Sequence, residues 1–216
     1  MREFIDIPSG EAIFLRQGDL DGACTVYSLM MGLVAAKKVK KDYLTDLEKY
    51  DNTDRRESLG RLLKEFFYKV PQSKDDPESV LLRNGYTLEA IQAKLSRSYS
   101  RVVTSWYASS ELDEDEDGYM DKSQLLDYIS AEIDQNRPVE IAFTYRGSDS
   151  GHAVLAVGYE RLNGELHRLF CLDPSFDKPK RGYYNAIVDL FHNGKRIQYH
   201  RQMERVVCIT EALSFV

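Results

Sequence analysis

The sequence predicts an α+β protein in which a helical N-terminal half packs against a C-terminal antiparallel β-sheet. Three observations carry this expectation. Apolar residues recur at helical spacing through the first half of the chain, and after Pro138 they regroup into short β-rich runs. The late runs are separated by turn dipeptides, among them Asn163-Gly164 and Asn193-Gly194, which suit two-residue hairpins. Helices first and strands afterwards, without regular alternation, describes an α+β chain and not a parallel βαβ one.

Taken in order, the segment up to Arg16 reads as a short strand or extended arm. The run CTVYSLMMGLVAAKK begins at Cys24 and places Val26, Leu29, Met30, Leu33 and Val34 at helical spacing. Asp21-Gly22 just before it offers turn and capping chemistry. Lys37, Lys38, Lys40 and Lys41 read as a solvated helix end. Residues 42–70 have an amphipathic helical pattern, with Leu59, Leu62, Leu63, Phe66 and Phe67 on one face. A polar break from Pro71 to Pro77 follows. TLEAIQAKLSRSY then aligns Leu88, Ile91 and Leu95 on one stripe. RVVTSWY is β-rich, SQLLDYISAEIDQN is helical, and VEIAFTY, HAVLAVGYE, HRLFCLDPS, YYNAIVDLF, RIQYHR and ERVVCIT are strands, with Arg146-Gly147 as a further turn signal.

A chain of 216 residues with 43% hydrophobic content, including 14 Tyr and 9 Phe, fills a core of single-domain size. The domain divides into a helical lobe over residues 17–100, a lid or specificity insertion at 42–85, and a β lobe over 101–216. A net charge of −6 and a pI near 5.3 give no field that would draw nucleic acid or anionic lipid. The opening residues lack a signal-type apolar run, and no window reaches the roughly 18 residues of a membrane span. Three cysteines, an odd number without metal-type spacing, do not form a disulfide framework. A reducing, cytoplasmic setting is expected; an effector exported without a Sec-type signal peptide is the alternative.

Cysteine chemistry at neutral pH needs a thiolate, so the thiol pKa must fall from about 8.5. A helix N-terminus and a nearby imidazolium both achieve this. Cys24 sits where a helix is predicted to begin; Cys171 and Cys208 lie within strands and read as apolar fillers. Alone, Cys24 would read as a core cysteine. Its company makes it a candidate nucleophile. Gln17 precedes it and carries an amide suited to an oxyanion. His152 enters a strand beside the Ser150-Gly151 turn as a candidate general base. Asp173 leaves the next strand before Pro174, placed to hold the histidine's tautomer.

QGDLDGACTVYSLM, GHAVLAVGYE and LDPS, in this order, resemble the papain-like cysteine peptidases. The histidine strand resembles that of the papain family. The Gln–Cys helix and the Asp-Pro ending resemble the bacteriocin-processing peptidases and other bacterial papain-like domains. The resemblance implies a helical lobe opened by the nucleophile helix and a sheet lobe bearing the histidine and its Asn or Asp partner. It implies hydrolysis of a peptide or isopeptide bond in a protein or peptide substrate through a Cys24 thioester, with no required cofactor. The same residues serve an acyltransferase, a transglutaminase-like enzyme or an amidase, and an inactive fold would serve as a binding module. Control could come from a regulatory protein partner, from residues 42–85 or from calcium.

The last option arises from DEDEDGYMDKSQ. Asp113, Asp115 and Asp117, then Gly118, the Tyr119 carbonyl and Asp121 follow the spacing of a calcium loop, with Gln124 in place of the usual bidentate Glu. A solvated acidic loop preceding a helix is the simpler alternative. His167, His192 and His200 have no i+4 partners or neighbouring cysteines to make a zinc site. Calorimetric titration decides the calcium reading: weak binding heat at millimolar calcium supports it, and a flat titration removes it.

Overall fold

The structure is a computed structural model that describes residues 3–4, 10–17, 23–42, 88–98, 104–108, 123–148, 150–179, 182–192, 196–200 and 204–215. Its elements are β1 (Glu3–Phe4), α1 (Gly10–Ile13), α2 (Cys24–Ala35), α3 (Leu88–Ser98), β2 (Thr104–Ala108), α4 (Ser123–Asp134), β3 (Val139–Tyr145), β4 (Gly151–Leu162), β5 (Glu165–Leu172), β6 (Ala186–His192), β7 (Arg196–His200) and β8 (Glu204–Phe215). Helices and antiparallel strands follow the expected order, so the protein is α+β. Apart from Asp42, the expected helix over 42–70 lies outside the described residues, as do the acidic loop from Asp113 to Asp121 and the Asn193-Gly194 turn.

Every pairing is antiparallel, and the pairings close on themselves. β4 pairs with β3, β3 with β8, β8 with β7, β7 with β6, β6 with β5, and β5 again with β4. Closure satisfies the ladder groups that an open edge would expose. β1 extends the far end of β4, and β2 extends the far end of β8.

Side-chain alternation divides the interior into two cores. Leu155 and Val157 of β4, with Leu172, Leu213 and Phe215, join α1, α2 and α3. Val154 and Ala156 of the same strand, with Ile141, Leu169, Val188 and Ile209, join Leu125, Ile129 and Ile133 of α4. Period-two alternation along β4 therefore sends successive residues to opposite sides, as a doubly covered strand requires. In β8 the alternation slips by one residue where the register with β3 shifts between Ala142 and Phe143, a bulge that re-aims the strand.

The turns follow their local chemistry. Asn163 (φ 54°) and Gly164 (φ 88°) both adopt left-handed backbone between β4 and β5, with Leu162 opposite Glu165, the two-residue hairpin that this dipeptide predicts. α2 ends in a Schellman motif: Lys37 is left-handed, its N–H donates to the Val34 carbonyl, and the Lys38 N–H donates to Leu33. The lysine cluster accordingly lies at a helix end, as expected. The segment up to Arg16 holds the expected short strand, β1, and also a short helix, α1, where Ile13, followed by Phe14 and Leu15, turns inward against the α2 core. And α3 is capped from a distance: the Glu211 carboxylate of β8 accepts the N–H groups of Leu88 (3.1 Å) and Glu89 (3.4 Å), favourable at the positive end of the helix.

Gly32 in α2 faces the ring of Phe215 so closely that an added methyl would collide with it. Gly32→Ala is expected to destabilise the protein by about 1–3 kcal/mol through overpacking, despite the better helix propensity of alanine. Thermal unfolding checks this, and an unchanged or raised midpoint contradicts the packing described.

Candidate active site

α2 begins at Cys24, and its N-cap residue is Ala23, which offers no side-chain cap. The expected cap from Asp21-Gly22 is thus not in the N-cap position, and Asp21 itself lies outside the described residues. The Tyr27 N–H closes onto the Ala23 carbonyl at 3.0 Å, while no acidic residue stands in the first turn. The positive end of the helix is left to act on the Cys24 sulfur.

β4 passes beside this helix start. Ser28, one turn into α2, donates its hydroxyl to the Ala153 carbonyl at 3.2 Å. The neighbouring residue on β4 is His152. Its Nε2–H donates to Asp173 Oδ1 at 2.9 Å, and its side chain is only 8% exposed. With Nε2 so engaged, Nδ1 is the ring nitrogen left for the Cys24 thiol, which lies close enough for thiol and imidazole to shift each other's pKa. Phe143, opposite His152 on β3, meets the ring edge-on with centroids 5.8 Å apart and limits its rotation. Three of the four sequence-predicted residues, Cys24, His152 and Asp173, thereby form one chain of contacts.

The fourth, Gln17, arrives in the same neighbourhood through its main chain. Its backbone N–H donates to the Pro174 carbonyl at 2.9 Å, which fastens the segment before α2 to the residue after Asp173. The oxyanion role of its side-chain amide is a proposal. Of the expected calcium ligands only Gln124 is described; it is exposed in the first turn of α4. Among the described residues no cluster of His, Cys, Asp and Glu forms a metal site.

Opposing effects set the charges. Burial pushes the Cys24 thiol up, but the hydrogen bond and charge of His152, helped by the Ala153 backbone and the Thr25 hydroxyl, outweigh it and bring the thiol below 9.0. Burial likewise favours neutral imidazole. Asp173 and Cys24, each through a hydrogen bond and a charge, reverse this and raise His152 to about 9. Both shifts favour a thiolate–imidazolium pair over the neutral one. The contrast with Cys171 is instructive: fully buried in β5 and near the Asp173 charge, its thiol is pushed far up and stays inert, as expected of a core filler. Cys208 is only half-buried, less enclosed than a filler would be.

Two residues here escaped sequence reasoning. Asn185 stands just before β6 and holds the turn that carries Asp173. Its Oδ1 accepts the Asp173 N–H at 2.7 Å, and its Nδ2 donates to the Asp173 and Asp177 carbonyls, each at 3.0 Å. An asparagine in the aromatic run before a strand was the only visible signal. The other is Glu140 of β3, which shows 0% exposure. Neither carboxyl oxygen has a hydrogen-bond partner among the described residues. Burial first, then the charges of Cys24 and Glu211, hold its pKa well above the usual 4.5, so it keeps its proton in the folded protein. The alternation of VEIAFTY was visible in sequence; that both strand faces would be covered was not.

Glu140 makes stability depend on pH in a defined direction. The folded state retains a proton that the unfolded chain releases above its ordinary 4.5. This group therefore lowers stability as pH rises above that value, by about 1.4 kcal/mol per pH unit until the folded carboxyl itself ionises. Glu140→Gln is expected to remove this slope. Urea unfolding of both proteins at pH 5 and pH 7 checks it: the variant should gain relative to wild type at the higher pH, and a constant difference contradicts a protonated Glu140.

No protein-family model and no curated protein matches the chain, so the geometry of Cys24, His152 and Asp173 carries the functional reading.

Proposed function

We propose that the protein is a papain-like cysteine peptidase that hydrolyses a peptide or isopeptide bond through a Cys24 thioester. One observation carries the reading. His152 stands between a cysteine at a helix N-terminus, whose N-cap Ala23 brings no side-chain cap, and a fully buried aspartate, with Nε2 2.9 Å from Asp173 Oδ1. A packing role gives no reason to align nucleophile, base and orienting carboxylate in this order, whereas thiol catalysis needs all three.

The steps balance as follows. The Cys24 proton passes to His152 Nδ1, and the thiolate attacks the substrate carbonyl carbon. The oxyanion meets the Cys24 backbone N–H and the Gln17 amide. Collapse breaks the C–N bond, and His152 gives its proton to the departing amine, leaving an acyl-thioester. Water then attacks while His152 takes its proton. The carboxylic acid leaves and the thiol re-forms. Asp173 holds Nε2–H throughout and favours the imidazolium. Transfer to an amine in place of water uses the same first half, and product mass spectrometry with and without added amine separates the two.

Iodoacetamide is expected to modify Cys24 ahead of Cys171 and Cys208, with substantial labelling below the pH of an ordinary thiol. Equal sluggishness of all three would mean an inactive module. Against a peptide substrate, Cys24→Ala and His152→Ala should each lose on the order of 10³-fold or more in kcat/KM. Asp173→Ala should lose less, on the order of 10²-fold, because base and nucleophile remain. Activity should decline as pH rises through about 9, where His152 loses the proton it must deliver. Full activity in Cys24→Ala would overturn the proposal.

A further inference from the structure

We infer that Asn185 is a positioning residue of the catalytic group, acting on His152 through the main chain of Asp173; this rests on the cysteine-hydrolase reading above. Asp173 is the first residue beyond β5, where the β4–β5 ladder has ended at Leu155 opposite Leu172. Its backbone must therefore be held by something other than the sheet. Asn185 does this with one side chain. It accepts from the Asp173 N–H at 2.7 Å and donates to the Asp173 carbonyl at 3.0 Å, so both polar main-chain groups of the orienting residue meet the same amide.

The second Nδ2 hydrogen reaches the Asp177 carbonyl at 3.0 Å and clamps the far end of the same turn. Within the turn, Phe176 N–H donates to the Asp173 carbonyl at 3.2 Å, and Ser175 N–H donates to Asp173 Oδ1 at 2.8 Å. Oδ1, the atom that holds His152, is therefore itself aimed by a turn that Asn185 closes. Asn185 is fixed in its own place by β6: its backbone N–H donates to the Cys171 carbonyl at 3.0 Å, next to the Cys171–Ala186 pair.

The chemistry demands this residue type. One acceptor and two donors are needed within one planar group. Aspartate would bring a negative charge against two carbonyl oxygens, serine would lose a donor, and glutamine would overshoot by a methylene. With the amide gone, the turn can rotate, and Oδ1 need only shift by about 1 Å for the bond to Nε2 to fail.

The test reads the imidazole directly and needs no substrate. In a Cys24→Ala background, which leaves Asp173 as the remaining charged partner acting on the ring, the His152 midpoint is followed by NMR titration. Asp173→Ala gives the full downward shift. Asn185→Ala is expected to reproduce roughly half of it or more, and the double variant should match Asp173→Ala alone, because the effect passes through Asp173. Asn185→Ser, which keeps the acceptor and one donor, should lie between and serves where the alanine variant unfolds. With Cys24 intact, kcat should fall while KM changes little. An unmoved His152 midpoint in folded Asn185 variants, or a shift that adds to that of Asp173→Ala, overturns the inference. A wild-type chain that shows the coupling but hydrolyses nothing would instead overturn the hydrolase reading.

Discussion

The register between β4 and β5 is the constraint on which the site depends. Leu155 lies opposite Leu172, and both side chains enter the core beneath α2. Counting outward, Asp173 comes level with Val154, and His152 lies two residues further along β4 on the same side. The pair are diagonal cross-strand neighbours, and the imidazole ring of His152 spans the gap to the short Asp173 carboxylate. A slip of one residue would turn every β4 side chain to the opposite face and separate them. The apolar pairing that stabilises the fold and the polar pairing of the site are therefore set by one register. The Asn163-Gly164 hairpin sets the register at the far end, and two compensating shifts, between Glu160 and Arg161 and between Ala156 and Gly158, restore it at Leu155–Leu172.

α2 is fastened to the same place. Leu29, Met30, Met31 and Leu33 anchor it in the core that Leu155 and Leu172 also fill, and Ser28 bonds to Ala153. Packing thus determines that the first residue of the helix, Cys24, stands beside the first residues of β4. Electrostatics then distinguishes the cysteines. Cys24 and Cys171 are both buried, yet one has an imidazole, a backbone group and a hydroxyl beside it while the other has burial and the Asp173 charge. Low dielectric magnifies each of these effects, so the same thiol is pushed down in one position and up in the other.

Much of this was legible in the sequence because it is local. Cys24 at a helix start, His152 at a strand entrance, Asp173 before Pro174 and the Asn-Gly hairpin each follow from a few neighbouring residues. Closure of the strand ring was not legible, since periodicity tells which residues face a core but not which strand returns to pair with the first. Glu211 as the cap of α3 bridges more than 120 positions, and no window of sequence contains both ends. Asn185 reads as a turn residue by composition, and its role depends on where the chain has carried Asp173. Ile13, Phe14 and Leu15 read as strand residues; they dock against α2 at and just beyond the end of α1.

Glu140 bears on why the charge arrangement holds together. An ionised carboxylate without a partner, inside the sheet and close to Cys24, would oppose formation of the thiolate. Such a site is costly for a charge and far less so for a neutral acid. With Glu140 protonated, the groups that favour negative charge at the sulfur, His152 first and then the Ala153 backbone and the Thr25 hydroxyl, act without an opposing carboxylate. The coupling is mutual: a thiolate at Cys24 raises the cost of ionising Glu140, so formation of the reactive pair reinforces the neutrality of the acid beside it. Natural chains break burial rules most often where function is built. Here the broken rule lies on β3, close enough to the proposed nucleophile for their charges to interact, and it is tolerated because a single proton makes it electrically silent.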